Sequence, residues 1–199
     1  MIGDEVMKKI CCIILLAVLM LNLSACGTKT EENTDKYIIQ TTYYQIYEQE
    51  SHTYKYTIKS GEDILAEGTT TNTPPRIDEV GVGIIRLHLN YGTNANTVKY
   101  FNVNDKTASK EFYPYSAYSE YVDVKEKEFL IAYTKPGEKE KVYIEGFFDS
   151  EGLSTTLSDY YDVDICEELV LLNTSQLYID YYWEFGDQCK TVATFSFDQ

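Results

Sequence analysis

The fold of this chain is decided by the nine residues IIRLHLNYG at positions 84–92, in which apolar and polar side chains alternate before a closing glycine. Alternation with a period of two is typical of a β-strand, and the glycine is typical of a turn. Two later segments have the same form, FLIAYTKPG at 129–137 and LYIDYYWEFG at 177–186. Their final glycines follow Gly92 at intervals of 45 and 49 residues. The sequence therefore contains an internal repeat of strand and turn.

A second set of markers has the same period. Four predicted strands end in an apolar residue before a polar turn, at Ile58, Val103, Phe148 and Phe197, with spacings of 45, 45 and 49 residues. A unit of this length that holds several strands is typical of a β-propeller blade, which has about 40–50 residues. We therefore predict an all-β fold, a propeller-like array of about four antiparallel blade units. A β-sandwich is the alternative, because it needs similar strands.

The predicted strands divide among these units. No stretch has a convincing helical period, whereas tyrosine, threonine, valine and isoleucine, which favour strands, are frequent. The first three units cover residues 37–69, 84–113 and 118–157, and the fourth is a meander of strands at 164–172, 177–185 and 189–197. The fourth unit is one strand short. We expect the segment 37–42 to supply the missing strand, as in the closure of a propeller ring.

The N-terminal segment KKICCIILLAVLMLNLSAC, at positions 8–26, has the layout of an export signal. Its apolar run is too short for a permanent membrane-spanning helix, which needs about 20 residues. The residues LSAC at 23–26 resemble the lipobox of bacterial lipoproteins. The resemblance implies that a signal peptide, residues 1–25, is removed and that Cys26 carries lipid. Because two acidic residues precede the lysines, we expect the natural start to be Met7.

After the signal, residues 26–36 are small and polar and predict a lipidated tether, followed by a single all-β domain at 37–199. In general texture the chain is similar to uncharacterised propeller-like lipoproteins of Gram-positive bacteria. That similarity implies an exported protein, anchored by lipid at the outer face of the cell membrane.

The net charge is −15 and is unchanged by removal of the signal, which takes away two acidic and two basic residues. A field of this sign repels nucleic acid and anionic headgroups. We therefore expect no nucleic-acid partner, and membrane attachment only through the lipid on Cys26.

Two cysteines, Cys166 and Cys189, follow the lipobox. Export makes a disulfide the first alternative to consider. The predicted meander, however, puts the two residues on opposite sides of its middle strand, about 9.6 Å apart, beyond the roughly 7 Å limit between Cα atoms of a disulfide. This geometry argues against the disulfide, although the sequence leaves the pairing open.

Few residues are candidates for a site. Tyrosine, with 19 copies, suits binding because its ring is apolar and its hydroxyl is polar. The binding candidates are Tyr44, Tyr115, Tyr118 and Tyr182. The candidates for metal binding are Asp162 and Asp164, whose carboxylates could offer oxygen ligands to calcium. The polar stripe that includes Arg86 and His88 is interpreted as the solvent-facing side of its strand. No catalytic residue and no cofactor is predicted, because no hydrolase, zinc or phosphate-binding motif is present.

These observations favour a binding or interaction module of the cell envelope, with an envelope glycan or protein as its ligand. Two alternatives stay open: a hydrolase that uses carboxylates such as Asp162 and Asp164, and an accessory subunit of a membrane complex.

Overall fold

A computed structural model describes residues 36–92, 96–138, 141–148, 153–158, 166–182 and 186–197. The described residues form fifteen β-strands and one short 3₁₀ turn, Glu50–His52. Residues Lys36–Gln199 group as one compact unit. Within the described ranges, no helix has the length and apolar character needed to span a membrane.

The strands form four antiparallel sheets, each built from strands that are consecutive in the chain. The first sheet contains β1 (Lys36–Gln40), β2 (Tyr44–Gln49), β3 (Thr53–Ser60) and β4 (Asp63–Thr71). The second contains β5 (Arg76–Gly81), β6 (Ile84–Asn90), β7 (Asn96–Asn102) and β8 (Thr107–Ala108). The third contains β9 (Tyr118–Asp123), β10 (Glu128–Tyr133), β11 (Lys141–Gly146) and β12 (Ser154–Ser158). The fourth contains β13 (Cys166–Asn173), β14 (Gln176–Tyr182) and β15 (Gln188–Thr194).

This arrangement confirms the all-β, propeller-like array of four antiparallel units. The apolar markers Ile58, Val103, Phe148 and Phe197 all lie within three residues of the end of the third strand of a sheet. We call this the marker end of the sheets. One backbone hydrogen bond recurs there in every sheet, and its donors are the amides of Lys59, Val103, Phe147 and Phe195, at 2.8–2.9 Å from their acceptors.

The opposite end of each sheet, where its second strand turns into its third, is the glycine-turn end. Gly92, Gly137 and Gly186 lie in these turns of the second, third and fourth sheets with φ of 137°, 75° and 83°. Side chains other than glycine are disfavoured at such angles, which explains why the sequence repeats glycine here. In the first sheet the same connection is the 3₁₀ turn, where Ser51 and His52 have positive φ.

Three apolar clusters of described residues join consecutive sheets. The first cluster packs the first sheet on the second and includes Ile46, Ile58 and Leu87. The second packs the second sheet on the third through aromatic side chains such as Tyr100 and Phe147. The third packs the third sheet on the fourth. Both faces of the second and third sheets are therefore covered by neighbouring sheets.

The first predicted strand, residues 37–49, is two strands instead of one. It breaks at Thr41, whose hydroxyl accepts hydrogen bonds from the amides of Tyr43 and Tyr44 at 3.2 and 3.0 Å. The chain thus reverses direction, and β1 pairs with β2. The expectation that this segment completes the fourth sheet is wrong, because a local hairpin closes a much shorter loop at lower entropic cost.

The second sheet also differs from its prediction. Its first strand, β5, was missed because RIDEVG carries three charged residues. The predicted strand at 109–113 is not formed: the fourth strand of the sheet is β8, which precedes that segment, and within 109–113 only Phe112 pairs, in an isolated bridge with Val98. The regular ladder ends at Ser109, whose amide donates to the Tyr100 carbonyl at 2.9 Å while its hydroxyl, in place of a backbone carbonyl, accepts the Tyr100 amide at 2.9 Å.

Candidate ligand-binding cavity

A cavity of about 630 Å³ opens at the marker end of the second, third and fourth sheets. This volume lies within the usual range for small-molecule sites, roughly 300–1,000 Å³. The cavity is centred on the start of β10 and the end of β11. Its lining residues are Asn102, Asp105, Thr107, Lys127, Glu128, Phe129, Leu130, Gly146, Phe147, Phe148, Leu153, Thr174 and Phe197.

The apolar wall of the cavity is largely phenylalanine. The ring of Phe148 stands nearly perpendicular to those of Phe129 and Phe147, at 78° and 82°, with centroids 5.5 and 5.9 Å away. Phe129 and Phe147 are closer to parallel, at 24° and 6.3 Å. Phe197 packs edge-on against Phe195 of the fourth sheet, 5.5 Å between centroids. The three rings of the third sheet thus form a corner of aromatic surfaces.

The polar rim lies on two turns. In the turn after β7, the side chain of Asn102 accepts the amides of Asn104 and Asp105 at 3.0 and 3.2 Å and donates to the Asp105 carboxylate at 2.9 Å. These bonds fix the position of Asp105 at the rim. In the turn before β10, Lys127 has φ of 58°, and Glu128 begins the strand. Carboxylate, amide and ammonium groups therefore converge beside the aromatic corner.

The floor of the cavity connects to a buried charged cluster between the second and third sheets. Phe147 stacks on Tyr100 with centroids 3.6 Å apart and planes 5° apart. The Tyr100 hydroxyl donates to Glu120 at 2.5 Å, and Arg86 donates to Glu120 and Asp78 at 2.7 Å each. The side chains of Arg86 and Glu120 are each 13% exposed. Arg86 therefore joins the second sheet to the third by an ion pair shielded from water.

This cluster corrects the interpretation of Arg86 and His88 as a solvent-facing stripe. Their strand is covered on both sides, so the polar side of the stripe forms an internal layer against β9. His88 is partly buried, packs edge-on against Tyr118 at 6.1 Å between centroids, and leaves its Nε2 without a hydrogen-bond partner among the described residues.

Burial and charge set the protonation of this layer. Burial and the neighbouring Glu120 carboxylate raise the pKa of Tyr100 well above its ordinary value, which keeps the phenol protonated as a donor. Burial opposes ionisation of Asp78, but hydrogen bonds and charge from Arg86 and Arg76 outweigh it and lower its pKa. Burial lowers the pKa of His88, and the positive charges of Arg86 and Arg76 lower it further. A hydrogen bond with Asn96 and the charge of Asp78 act in the opposite direction but do not outweigh burial, so the neutral imidazole is favoured.

The four tyrosines predicted to bind a ligand are not brought together, and none lines the cavity. Tyr44 packs against the core between the first and second sheets. Tyr118 lies in β9 against His88, and Tyr115 precedes that strand, with its amide bonded to the Thr134 carbonyl at 3.0 Å. Tyr182 ends β14, where the charge of Glu167 raises its pKa. Their binding role stays a prediction.

The metal candidates Asp162 and Asp164 and the lipidation candidate Cys26 lie outside the described residues. Within the described ranges, no group of three histidine, cysteine, aspartate or glutamate side chains is arranged to hold a metal ion.

A smaller groove of about 290 Å³ lies at the glycine-turn end of the second and third sheets. It is lined by the exposed rings of Tyr91 and Tyr113, with Pro114 and Pro136 beside them. The Tyr113 hydroxyl donates to Glu111 at 2.8 Å. Neither tyrosine was among the predicted binding residues, although Tyr113 belongs to the Tyr-Pro-Tyr segment that contains Tyr115.

The two cysteines of the domain flank the middle strand of the fourth sheet, as predicted. Cys166 and Cys189 pair in register with Tyr181 from opposite sides, and both are free thiols. Burial and the nearby Asp180 carboxylate raise the pKa of Cys166 to about 12. This thiol is therefore a poor nucleophile.

The sequence does contain a pattern that marks the cavity, the repeated apolar residues near strand ends, but sequence analysis interprets them only as part of the fold. Phe148 and Phe197, two of the four repeat markers, line it. Because each marker ends the third strand of its unit, equivalent positions of consecutive units meet at one end of the sheets. Comparison with known proteins adds no assignment: no protein-family model matches the chain, and no curated protein matches it in sequence.

Proposed function

We propose that this protein is a binding module of the cell envelope, held at the outer face of the membrane by lipid on Cys26, with a carbohydrate or protein ligand bound in the cavity at the marker end. The observation that carries the proposal is the cavity itself. It combines a volume suited to a small molecule, an aromatic wall in which Phe129 and Phe148 are partly exposed, and a few polar groups at the rim, which is the usual composition of a ligand site.

The aromatic corner is suited to holding a ligand without a catalytic reaction. Phenylalanine rings bury apolar surface of a ligand, such as the apolar face of a sugar ring or a protein side chain. The polar groups on the rim then orient the ligand and select among ligands of similar shape. The anchored position at the membrane comes from the lipobox alone and is a separate part of the proposal.

The ligand part is tested by screening soluble residues 27–199 against envelope glycans, and by cross-linking the anchored protein in membranes to find protein partners. Phe148→Ala should abolish binding in either assay, because it removes one wall of the corner. Tyr91→Ala is the matched control, since it removes an exposed aromatic ring that lies outside the cavity. Equal loss in both variants, or retention in both, would contradict the assignment of the cavity.

The anchor is tested separately by Cys26→Ser, which should release the protein from membranes and remove the mass of the lipid. Membrane retention with unchanged mass would refute lipidation. Repeating the screen with calcium and with a chelator tests the metal prediction at Asp162 and Asp164.

The hydrolase alternative is distinguished by turnover of a glycan that binds. Asp162→Asn and Asp164→Asn should abolish such turnover while leaving the thermal midpoint nearly unchanged. Turnover that persists in both variants would remove this alternative.

A further inference from the structure

We propose that the cavity recognises a positively charged, substituted ammonium group on its ligand. This inference rests on the proposed function and specifies the chemistry of the same site. The charged group would lie against the partly exposed rings of Phe129 and Phe148 in the aromatic corner, with the carboxylates of Asp105 and Glu128 at the rim.

The first argument is the geometry of the rings. Phe129 and Phe148 are partly exposed and nearly perpendicular, at 78°, so their rings face in two directions, while Phe147 is buried beside them. The face of an aromatic ring carries negative charge density and attracts a cation placed within about 6 Å of the centroid. A substituted ammonium group also has apolar methyl or methylene surface, which a phenyl corner can bury.

The second argument is the charge at the rim. Glu128 has no ion pair with the described part of the chain, and Asp105 is bonded by its neutral neighbour Asn102. Lys127 is the single basic residue among the lining residues, against two carboxylates. A partly enclosed carboxylate without a cation gains from a positively charged ligand group. The net charge of −15 adds a long-range attraction for the same sign.

A neutral sugar is the competing ligand class, and charge separates the two. A sugar would use the aromatic surface and the rim groups as hydrogen-bond partners, but its affinity would not depend on the sign of the rim charge. A cationic ligand requires both features together. The structure places both at one site, which favours the cation.

The test compares choline with 3,3-dimethyl-1-butanol, a neutral molecule of nearly the same shape, by calorimetric titration of soluble residues 27–199. We expect choline to bind at least about tenfold more tightly, since a cation at an aromatic face beside a carboxylate gains an interaction that the alcohol lacks. Glu128→Gln should reduce this preference, and Phe148→Ala should weaken binding of both molecules. The matched control is Glu62→Gln, which removes a carboxylate from an exposed turn of the first sheet and should change neither affinity.

Equal affinity for the two molecules, the absence of saturable choline binding, or a preference unchanged by Glu128→Gln would overturn the inference. The same variants in the glycan and partner assays keep the two proposals apart. Glycan or protein binding that is lost in Phe148→Ala without any choline preference would refute the cation and leave the binding function intact. Loss of the choline preference in Glu128→Gln, with folding unchanged in both variants, would support the cation even where no glycan binds.

Discussion

Replacement of Arg86 by methionine is the most direct test of how the second and third sheets are held together. Methionine fills similar apolar volume but leaves Glu120 and Asp78 without their shared cation. Glu120 is only 13% exposed, so its charge would stay largely cut off from water. Removing one partner of a buried ion pair costs about 3–5 kcal/mol of the free energy of unfolding. For a domain of this size, that corresponds to a fall of roughly 6–20 °C in the thermal midpoint.

The matched control is Arg76→Met. Arg76 bonds the same Asp78 carboxylate at 2.9 Å, but it is 65% exposed and Asp78 is 37% exposed. An exposed pair of this kind contributes about 0–1 kcal/mol. Urea unfolding of both variants, followed by circular dichroism, measures the difference. If Arg86→Met is no more destabilising than Arg76→Met, the buried pair does not hold the sheets as we argue.

A double variant checks the cause of the loss. Arg86→Met combined with Glu120→Gln removes the uncompensated charge and keeps an acceptor for the Tyr100 hydroxyl. We expect it to be more stable than Arg86→Met alone, because a buried neutral amide costs less than a buried unpaired carboxylate. If the double variant instead loses as much stability as the two single variants together, desolvation of the unpaired Glu120 carboxylate is not the dominant cost.

Three further predictions concern protonation, thiols and packing. Burial lowers the pKa of His88, so just below the ordinary pKa of about 6.5 the unfolded chain binds a proton at this residue that the folded protein does not. The free energy of unfolding is therefore full above that pH and falls as the pH drops toward the folded pKa. Unfolding in urea at about pH 7.5 and about pH 5.5 should show this loss, and His88→Gln should reduce it while His52→Gln, in an exposed turn, should not. Reducing agent should leave the thermal midpoint unchanged, and thiol titration in denaturant without reductant should count both Cys166 and Cys189; a lower count would reveal a disulfide. Gly68→Ala should lower the free energy of unfolding by about 1–3 kcal/mol, because the new Cβ would lie 2.5–2.9 Å from the hydroxyl and ring of Tyr56, which is buried in β3. An unchanged urea midpoint would mean that this side chain moves aside freely.

The four-unit architecture was predictable because its signals are local. An apolar residue near the end of the third strand recurs in all four units, and a turn glycine with positive φ, such as Gly137, recurs in the second, third and fourth, whatever the neighbouring sheets do. The missed strand β5 shows the limit of such signals. The charges of Arg76 and Asp78 argue against a strand when read alone, and they are accommodated because Arg86 of the next strand bonds Asp78.

The polar layer and the cavity were not predictable for a related reason. Alternation along β6 shows that Arg86 and His88 share a side of the strand, but a solvent-facing side and a buried polar layer have the same period. Only the packing of β9 against that side decides between them. Similarly, Phe148 is an apolar residue at a strand end whether it fills the core or lines a cavity, and the difference depends on which sheets end beside it.

The position of the buried ion pair gives it a consequence for the cavity. The cavity lies where the second, third and fourth sheets end, so its shape depends on the spacing of the second and third sheets, which Arg86 and Glu120 fix from within. The floor ring Phe147 rests directly on Tyr100, whose hydroxyl is held by Glu120. Ring stacking alone would let these two residues slide along each other, whereas the hydrogen bond fixes Tyr100 and thereby the plane of the floor. A charged layer that gives little net stability over an apolar one can therefore persist because it sets one arrangement of the aromatic wall of the cavity.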